Sequence, residues 1–311
     1  MIRVAAKSGA DYIKFQTFDP SELVTAYAPR ARYQQKAIGA RENQKKMLQK
    51  LCLTQNQFQL LKKECRRRGI GFLSTAFDPG SLRFVESLRP DFHKISSGDI
   101  DNLPFLRQVA RYRRPVILST GMATLAEIRR ALTTMSKAGL SKSKVIVLQC
   151  HTEYPSRPQE VNLRVMDTLR RKFKICSGLS DHTAGITVSL AAAARGAAVI
   201  EKHFTLRRDM RGPDHRASLI PNELAQLVRG IREVETALGC GVKRPSAREI
   251  RIKKQVRKFL VATRTIRKGE RFTLENLGLK RSGGGIPAAR WDFYLGKKSR
   301  RSYRPDCVIR S

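Results

Sequence analysis

No uninterrupted apolar run in this sequence approaches the ~20 residues that cross a bilayer, and the opening Met1-Ile2-Arg3-Val4-Ala5-Ala6-Lys7 lacks the apolar core of a secretory leader. Both absences argue against a membrane protein and for a cytoplasmic location. Six cysteines (Cys52, Cys65, Cys150, Cys176, Cys240, Cys307) occur without a single CxxC spacing, which argues against a zinc knuckle or a compact disulfide framework and for reduced thiols. No GxGxxG turn opens a helix, so a doubly wound dinucleotide-binding sheet ranks low. Acidic residues are few, 26 against 62 lysines and arginines, for a net charge of +36. Such a charge attracts polyanions. Its basic clusters, Lys62-Lys63, Arg170-Arg171-Lys172 and Lys297-Lys298 among them, nevertheless recur along the whole chain instead of forming one arm. That distribution favours salt-sensitive, non-specific adherence over a specific nucleic-acid partner.

What is present is a long alternation of short apolar runs and amphipathic stretches, the pattern of repeated βα units. Strands are expected over 12–16, 71–74, 92–95, 116–119, 145–150, 175–178 and 199–202. Helices are expected over 55–68, 80–88, 102–112, 125–138, 163–171, 186–195 and 221–238, with Thr54, Pro79 and Thr124 as caps. The pattern predicts a (β/α)8 TIM barrel, which needs eight strands. Residues 1–8 read as the last two turns of a helix closed by Gly9, so a first strand is expected upstream and the chain looks N-terminally incomplete. The polar stretch 17–50 reads as a substrate loop with a short helix over 31–48. Residues 1–239 make the barrel domain, 240–256 a polar linker, and 257–311 a small β-rich domain with a glycine-rich loop at Lys280-Arg281-Ser282-Gly283-Gly284-Gly285-Ile286-Pro287.

Reactive groups of a parallel barrel gather at the C-terminal ends of its strands, and here those ends are polar. His182 and His203 each arrive where a buried strand should stop, on neighbouring strands about 4.8 Å apart. Alone, each is an ordinary core histidine; together they can share a divalent cation with open positions. Lys14 and Lys94 point into the same core, where an unpaired ammonium is costly, so they call for an anion. Snorkelling, or pairing with a core carboxylate, is the plainer reading of either lysine. Hydroxyls at Thr75, Ser97, Ser119, Thr120 and Ser180 supply donors suited to phosphate. Asp99 and Glu153 could move protons or grip sugar hydroxyls, or merely cap helices. Asp214, behind Gly212-Pro213, is better fixed for hydroxyl binding.

Eight blocks in order carry a resemblance: Lys14-Phe15-Gln16-Thr17-Phe18, Ser74-Thr75-Ala76-Phe77-Asp78, Lys94-Ile95-Ser96-Ser97-Gly98-Asp99, Ser119-Thr120-Gly121-Met122, Thr152-Glu153-Tyr154-Pro155, Gly178-Leu179-Ser180-Asp181-His182-Thr183, Glu201-Lys202-His203-Phe204-Thr205 and Gly212-Pro213-Asp214-His215. They resemble the sialic acid synthase (N-acetylneuraminate synthase) family, and the tail resembles its antifreeze-like (SAF) domain. The resemblance implies condensation of phosphoenolpyruvate with N-acetylmannosamine or a related N-acyl sugar, releasing phosphate and forming a nine-carbon 2-keto acid. It implies Mn²⁺ or Mg²⁺ on His182 and His203, and phosphoenolpyruvate on Lys14, Thr75, Lys94, Ser97, Thr152 and Ser180. Sugar contacts would come from Asp99, Tyr154 and Asp214, with Asp99, His182 and His203 as the catalytic set. A domain-swapped homodimer would bring Arg281 over the partner's sugar. Departures are the absent Glu-x-Gly-x-Asn-His-type first strand, Asp99 in place of the usual glutamate, and Ser282 in place of a proline. A polyanion-binding or scaffold homologue with impaired catalysis is the rival expectation. A metal-dependent aldolase ranks lower, since no Schiff-base motif is evident.

Overall fold

A computed structural model describes residues 1–29 and 43–311. The chain divides into two units, Met1–Gly239 and Cys240–Ser311. The first opens with α1 (Ile2–Lys7), β1 (Tyr12–Thr17), α2 (Pro20–Leu23) and α3 (Gln44–Leu51). Strand and helix then alternate through α4 (Gln55–Arg67), β2 (Gly71–Ala76), α5 (Pro79–Ser87), β3 (His93–Ile95), α6 (Leu103–Arg111) and β4 (Val116–Ser119). After α7 (Leu125–Lys137) and β5 (Val145–Cys150) come α8 (Pro158–Val161), α9 (Val165–Phe173), β6 (Cys176–Asp181), α10 (Thr187–Ala194), β7 (Ile200–Lys202) and α11 (Pro221–Leu238). Of the helix expected over 31–48, residues 31–42 lie outside the described residues, Asn43 is the cap of α3, and residues 44–48 belong to α3.

Helix starts follow from local chemistry. Thr54 with Gln57 and Thr124 with Glu127 form reciprocal capping boxes on α4 and α7. At α5 the expectation is corrected: Asp78 is the cap, accepting from Ser81 N at 2.7 Å, and Pro79 is the first helical residue. Proline suits that position because its missing N–H would have no partner there anyway.

Strands β1 to β7 form one sheet in chain order, and every neighbouring pair is parallel. Side chains alternate across it. The outer face packs on the helices through Val85, Leu106, Val116, Leu118, Met135 and Leu169, all essentially inaccessible. On the inner face Leu73, Ile117 and Leu148 make a small apolar cluster. Register then places Thr75, Lys94, Ser119, Cys150, Ser180 and Glu201 on that same face toward the strand ends. The sheet curls: Lys14 on β1 lies 3.3 Å from Glu201 on β7. This is a TIM-barrel-like arrangement. Strand β6 runs beyond the expected end at 178, because Ser180 and Asp181 stay paired with Glu201 and Lys202, so His182 follows the strand directly.

The second unit holds α12 (Ala247–Val256), an antiparallel pair β8 (Lys258–Ala262) and β9 (Leu277–Arg281), and α13 (Trp291–Tyr294). Residues 240–256, expected as a linker, thus carry a helix capped by Ser246. Leu260, Ile266, Phe272, Leu277, Tyr303 and Ile309 make a separate small core. In the glycine-rich loop position 285 takes only glycine, with a φ of +123° and a Cβ site 2.2 Å from Val308 Cγ1.

Candidate active site

The two lysines already have an anion, and it comes from the chain. Glu201 Oε1 is 3.3 Å from Lys14 Nζ and Oε2 is 3.4 Å from Lys94 Nζ. Burial opposes ionisation of Glu201, but Lys94, Lys14 and then His203 outweigh it and hold the carboxyl down at about 2. Burial pulls Lys94 below the ordinary lysine value, with Glu201 acting against that pull. Lys94 also donates to Ser119 Oγ at 2.8 Å and to the Ile95 carbonyl at 3.2 Å. Two ammonium groups and one carboxylate leave a net positive pocket.

Beside the triad, Thr75 Oγ1 is buried without a hydrogen-bond partner among the described residues. An unsatisfied buried hydroxyl costs free energy, and one aimed into a cationic pocket invites an acceptor. Ser97 Oγ accepts from Gly121 N at 2.9 Å, and the buried Cys150 thiol, whose pKa burial raises, lies 3.8 Å from His182 Nδ1. Thr152 sits in the loop after β5, with its Cγ2 2.6 Å from where a Cβ on Gly121 would stand.

The imidazoles of His182 and His203 meet edge to face with centroids 5.3 Å apart. Tyr154 packs on both, at 4.1 Å and 5.4 Å. His182 Nδ1 lies 2.6 Å from the His151 carbonyl. A carbonyl only accepts, so Nδ1 carries the proton and Nε2 keeps its lone pair for a ligand. Burial lowers the His182 pKa, and burial, followed by the repulsion that a protonated His182 and then Lys14 would exert, pushes His203 down to about 3. Both rings are therefore neutral near pH 7, the form that binds metal. Asp214 Oδ2 is 3.9 Å from His203 Nδ1, and Asp214 Oδ1 is buried with no partner among the described residues. Neutral imidazoles beside an orphaned carboxylate oxygen fit a divalent cation with open positions.

Asp99 closes a short 3₁₀ turn, accepting from Ser96 Oγ at 2.8 Å and Asn102 Nδ2 at 3.3 Å, and burial raises its pKa. Glu153 is exposed, in a group with His151 and Glu160 whose potential ligand atoms lie within 4.8 Å of one another. Neither His182 nor His203 belongs to that group. Arg281 ends β9, paired with Lys258. The residue that sequence reasoning left out of the site is Glu201. Its signal was available: a charge inside a buried strand, two residues before His203 and so on the same face.

The NeuB family profile matches residues 1–243 and the SAF domain profile matches residues 257–311. The chain belongs to the NeuB family. This NeuB-family chain is 45% identical over 310 residues to an N,N'-diacetyllegionaminic acid synthase of Campylobacter jejuni, covering 100% of itself and 93% of that protein. A synthase of the same name from Legionella pneumophila is 41% identical over 300 residues, 96% of this chain and 84% of that one. The crystal structure of the N-acetylneuraminic acid synthetase of Leptospira borgpetersenii in complex with citrate aligns with a TM-score of 0.69 at 32% identity, over 80% of this chain and 82% of that one.

Proposed function

We propose that this protein is a sugar-acid synthase that condenses phosphoenolpyruvate with an N-acyl amino sugar and releases phosphate. The observation that carries the reading is the adjacency, on one inner face, of a lysine pair, an orphaned threonine hydroxyl and two neutral facing histidines. Two relatives, 45% and 41% identical, are named N,N'-diacetyllegionaminic acid synthases, so a diacetamido sugar is the favoured acceptor, with N-acetylmannosamine next.

In this reading Lys14, Lys94, Thr75, Ser97, Thr152 and Ser180 bind the phosphate and carboxylate of phosphoenolpyruvate. Asp99, Tyr154 and Asp214 hold the sugar. Carbon 3 of phosphoenolpyruvate forms a bond to the aldehyde carbon, whose oxygen takes a proton. Water adds at carbon 2, and the bond from carbon 2 to the phosphate ester oxygen breaks, leaving a ketone and inorganic phosphate. His182 and His203 would hold Mn²⁺ or Mg²⁺, which when bound supplies Lewis-acid polarisation of the aldehyde and orients the water. Glu201 keeps both ammonium groups in place before substrate arrives. The TIM-barrel-like part, 1–239, would act as the synthase domain, 240–256 as connection, and 257–311 as the SAF domain, its Arg281 reaching the sugar of a second copy in a cytoplasmic homodimer.

Phosphate release tests this with phosphoenolpyruvate, Mn²⁺ and a panel of N-acyl sugars. Sugar-dependent and metal-dependent release, with a nine-carbon 2-keto acid by mass, is expected; no release with any acceptor overturns the reading. The net charge of +36 supports a second reading, a polyanion-binding homologue of the same fold. Tight nucleic-acid binding at moderate salt, with no metal uptake, would favour it.

A further inference from the structure

Behind the two histidines, on the face of the sheet that packs against α10, lies a buried ion pair that the proposed reaction does not use. Lys202 Nζ is 2.8 Å from Asp181 Oδ2, and the two side chains are 3% and 0% exposed. Lys202 Nζ also donates to the Thr183 carbonyl at 2.5 Å. Asp181 Oδ1 accepts from Thr183 N and from Thr183 Oγ1, each at 2.8 Å, and Ser189 Oγ on α10 donates to Oδ2 at 2.5 Å. Both oxygens of the carboxylate are therefore occupied.

The geometry centres on His182. Asp181 closes an Asx turn over it, since its side chain accepts from the backbone two residues on. Lys202 reaches across from β7 and grips the residues on both sides of it, Asp181 by its carboxylate and Thr183 by its carbonyl. Lys202 is also the residue directly before His203. One ammonium thus ties the backbone that presents one imidazole to the backbone that presents the other. A buried pair of this kind is seldom better for stability than an apolar replacement of the same volume. Where the pair does differ from an apolar contact is in direction: its hydrogen bonds fix the register and rotation of both strand ends.

We infer that Asp181 and Lys202 are positioning residues that set the spacing and orientation of the His182 and His203 rings for a divalent cation. This rests on the metal reading given above. Groups that orient metal ligands from behind are commonly worth about 10–100-fold in affinity.

The experiment measures Mn²⁺ affinity of the full chain by electron paramagnetic resonance of free Mn²⁺, alongside phosphoenolpyruvate affinity without metal and the thermal midpoint. Variants are Lys202→Met, the double Asp181→Asn/Lys202→Met, and Ser189→Ala. Lys202→Met strands a buried carboxylate, so its midpoint should fall; the double variant removes both charges and should recover it. Mn²⁺ affinity should stay at least about 10-fold down in both, with phosphoenolpyruvate affinity like the parent's. Ser189→Ala, which removes one hydrogen bond to Asp181 Oδ2 and leaves both charges in place, should show a smaller loss of Mn²⁺ affinity in the same direction and a smaller fall in midpoint than Lys202→Met. A double variant that binds Mn²⁺ like the parent, or Mn²⁺ and phosphoenolpyruvate affinities that fall together in all three, overturns the inference. A parent that takes up no Mn²⁺ overturns the metal reading and this inference with it.

Discussion

Glu201 stands between Lys94 and Lys14, with one carboxylate oxygen 3.4 Å from the first and the other 3.3 Å from the second. A single acid on the last strand of the sheet thereby restrains cations from the third and the first. Glu201→Gln leaves two ammonium groups together in a partly buried pocket, which should cost roughly 3–5 kcal/mol by denaturant unfolding. Phosphoenolpyruvate should then raise the thermal midpoint of the variant more than that of the parent, because it supplies the missing negative charge. An equal shift in the two proteins would separate the triad from the substrate site.

Thr75→Val removes the orphaned hydroxyl at nearly constant volume. Because Oγ1 has no partner among the described residues, stability should be unchanged or slightly higher. Affinity for phosphoenolpyruvate should fall about tenfold, the size of one hydrogen bond to a charged group. Calorimetric titration and thermal unfolding of the same samples check both halves.

Two glycines should respond differently to a methyl group. At Gly178 a Cβ would stand 2.3 Å from the Val199 carbonyl oxygen and 2.7 Å from Leu148 Cδ2, where backbone of the neighbouring strand cannot give way. Gly178→Ala should destabilise by about 3 kcal/mol or more, through overpacking. At Gly121 the Cβ would meet the side chains of Thr152 and Ser97, at 2.6 Å and 2.9 Å, both assigned to substrate. Gly121→Ala should fold and yet show a raised KM for phosphoenolpyruvate, read by steady-state kinetics.

His93 gives a pH dependence away from the metal pair. Burial lowers its pKa, opposed by Glu86, whose Oε2 lies 3.0 Å from Nε2; Arg114 adds to the lowering. The unfolded chain, with an ordinary histidine near 6.5, takes the proton first as pH falls. The stabilising contribution is therefore fully present above about pH 6.5 and lost below it. Urea unfolding at pH 7.5 and pH 5.5 should show this loss in the parent, and His93→Gln should reduce it.

Periodicity made the βα alternation legible, because short buried strands and amphipathic helices differ in composition even when read alone. His182 and His203 were equally legible, each standing where an apolar run stops. The strand ends were harder. Residues 179–181 fall past the strand expected over 175–178, yet all three lie within β6. Ser180 faces the inner pocket and Asp181 is neutralised on the outer face, a satisfaction that only neighbouring strands can supply.

The amino-acid order by itself determined the alternation of strands and helices, the polar character of one end of the sheet, and the demand of Lys14 and Lys94 for negative charge. What met that demand was decided by the tertiary fold, which curls β7 toward β1 until Glu201 reaches both lysines. Direct pairing of β6 with β7 sets the two imidazoles face to edge. Distances between residues nearly two hundred positions apart depend on how strands pair and bend, and local propensity carries no information about that closure.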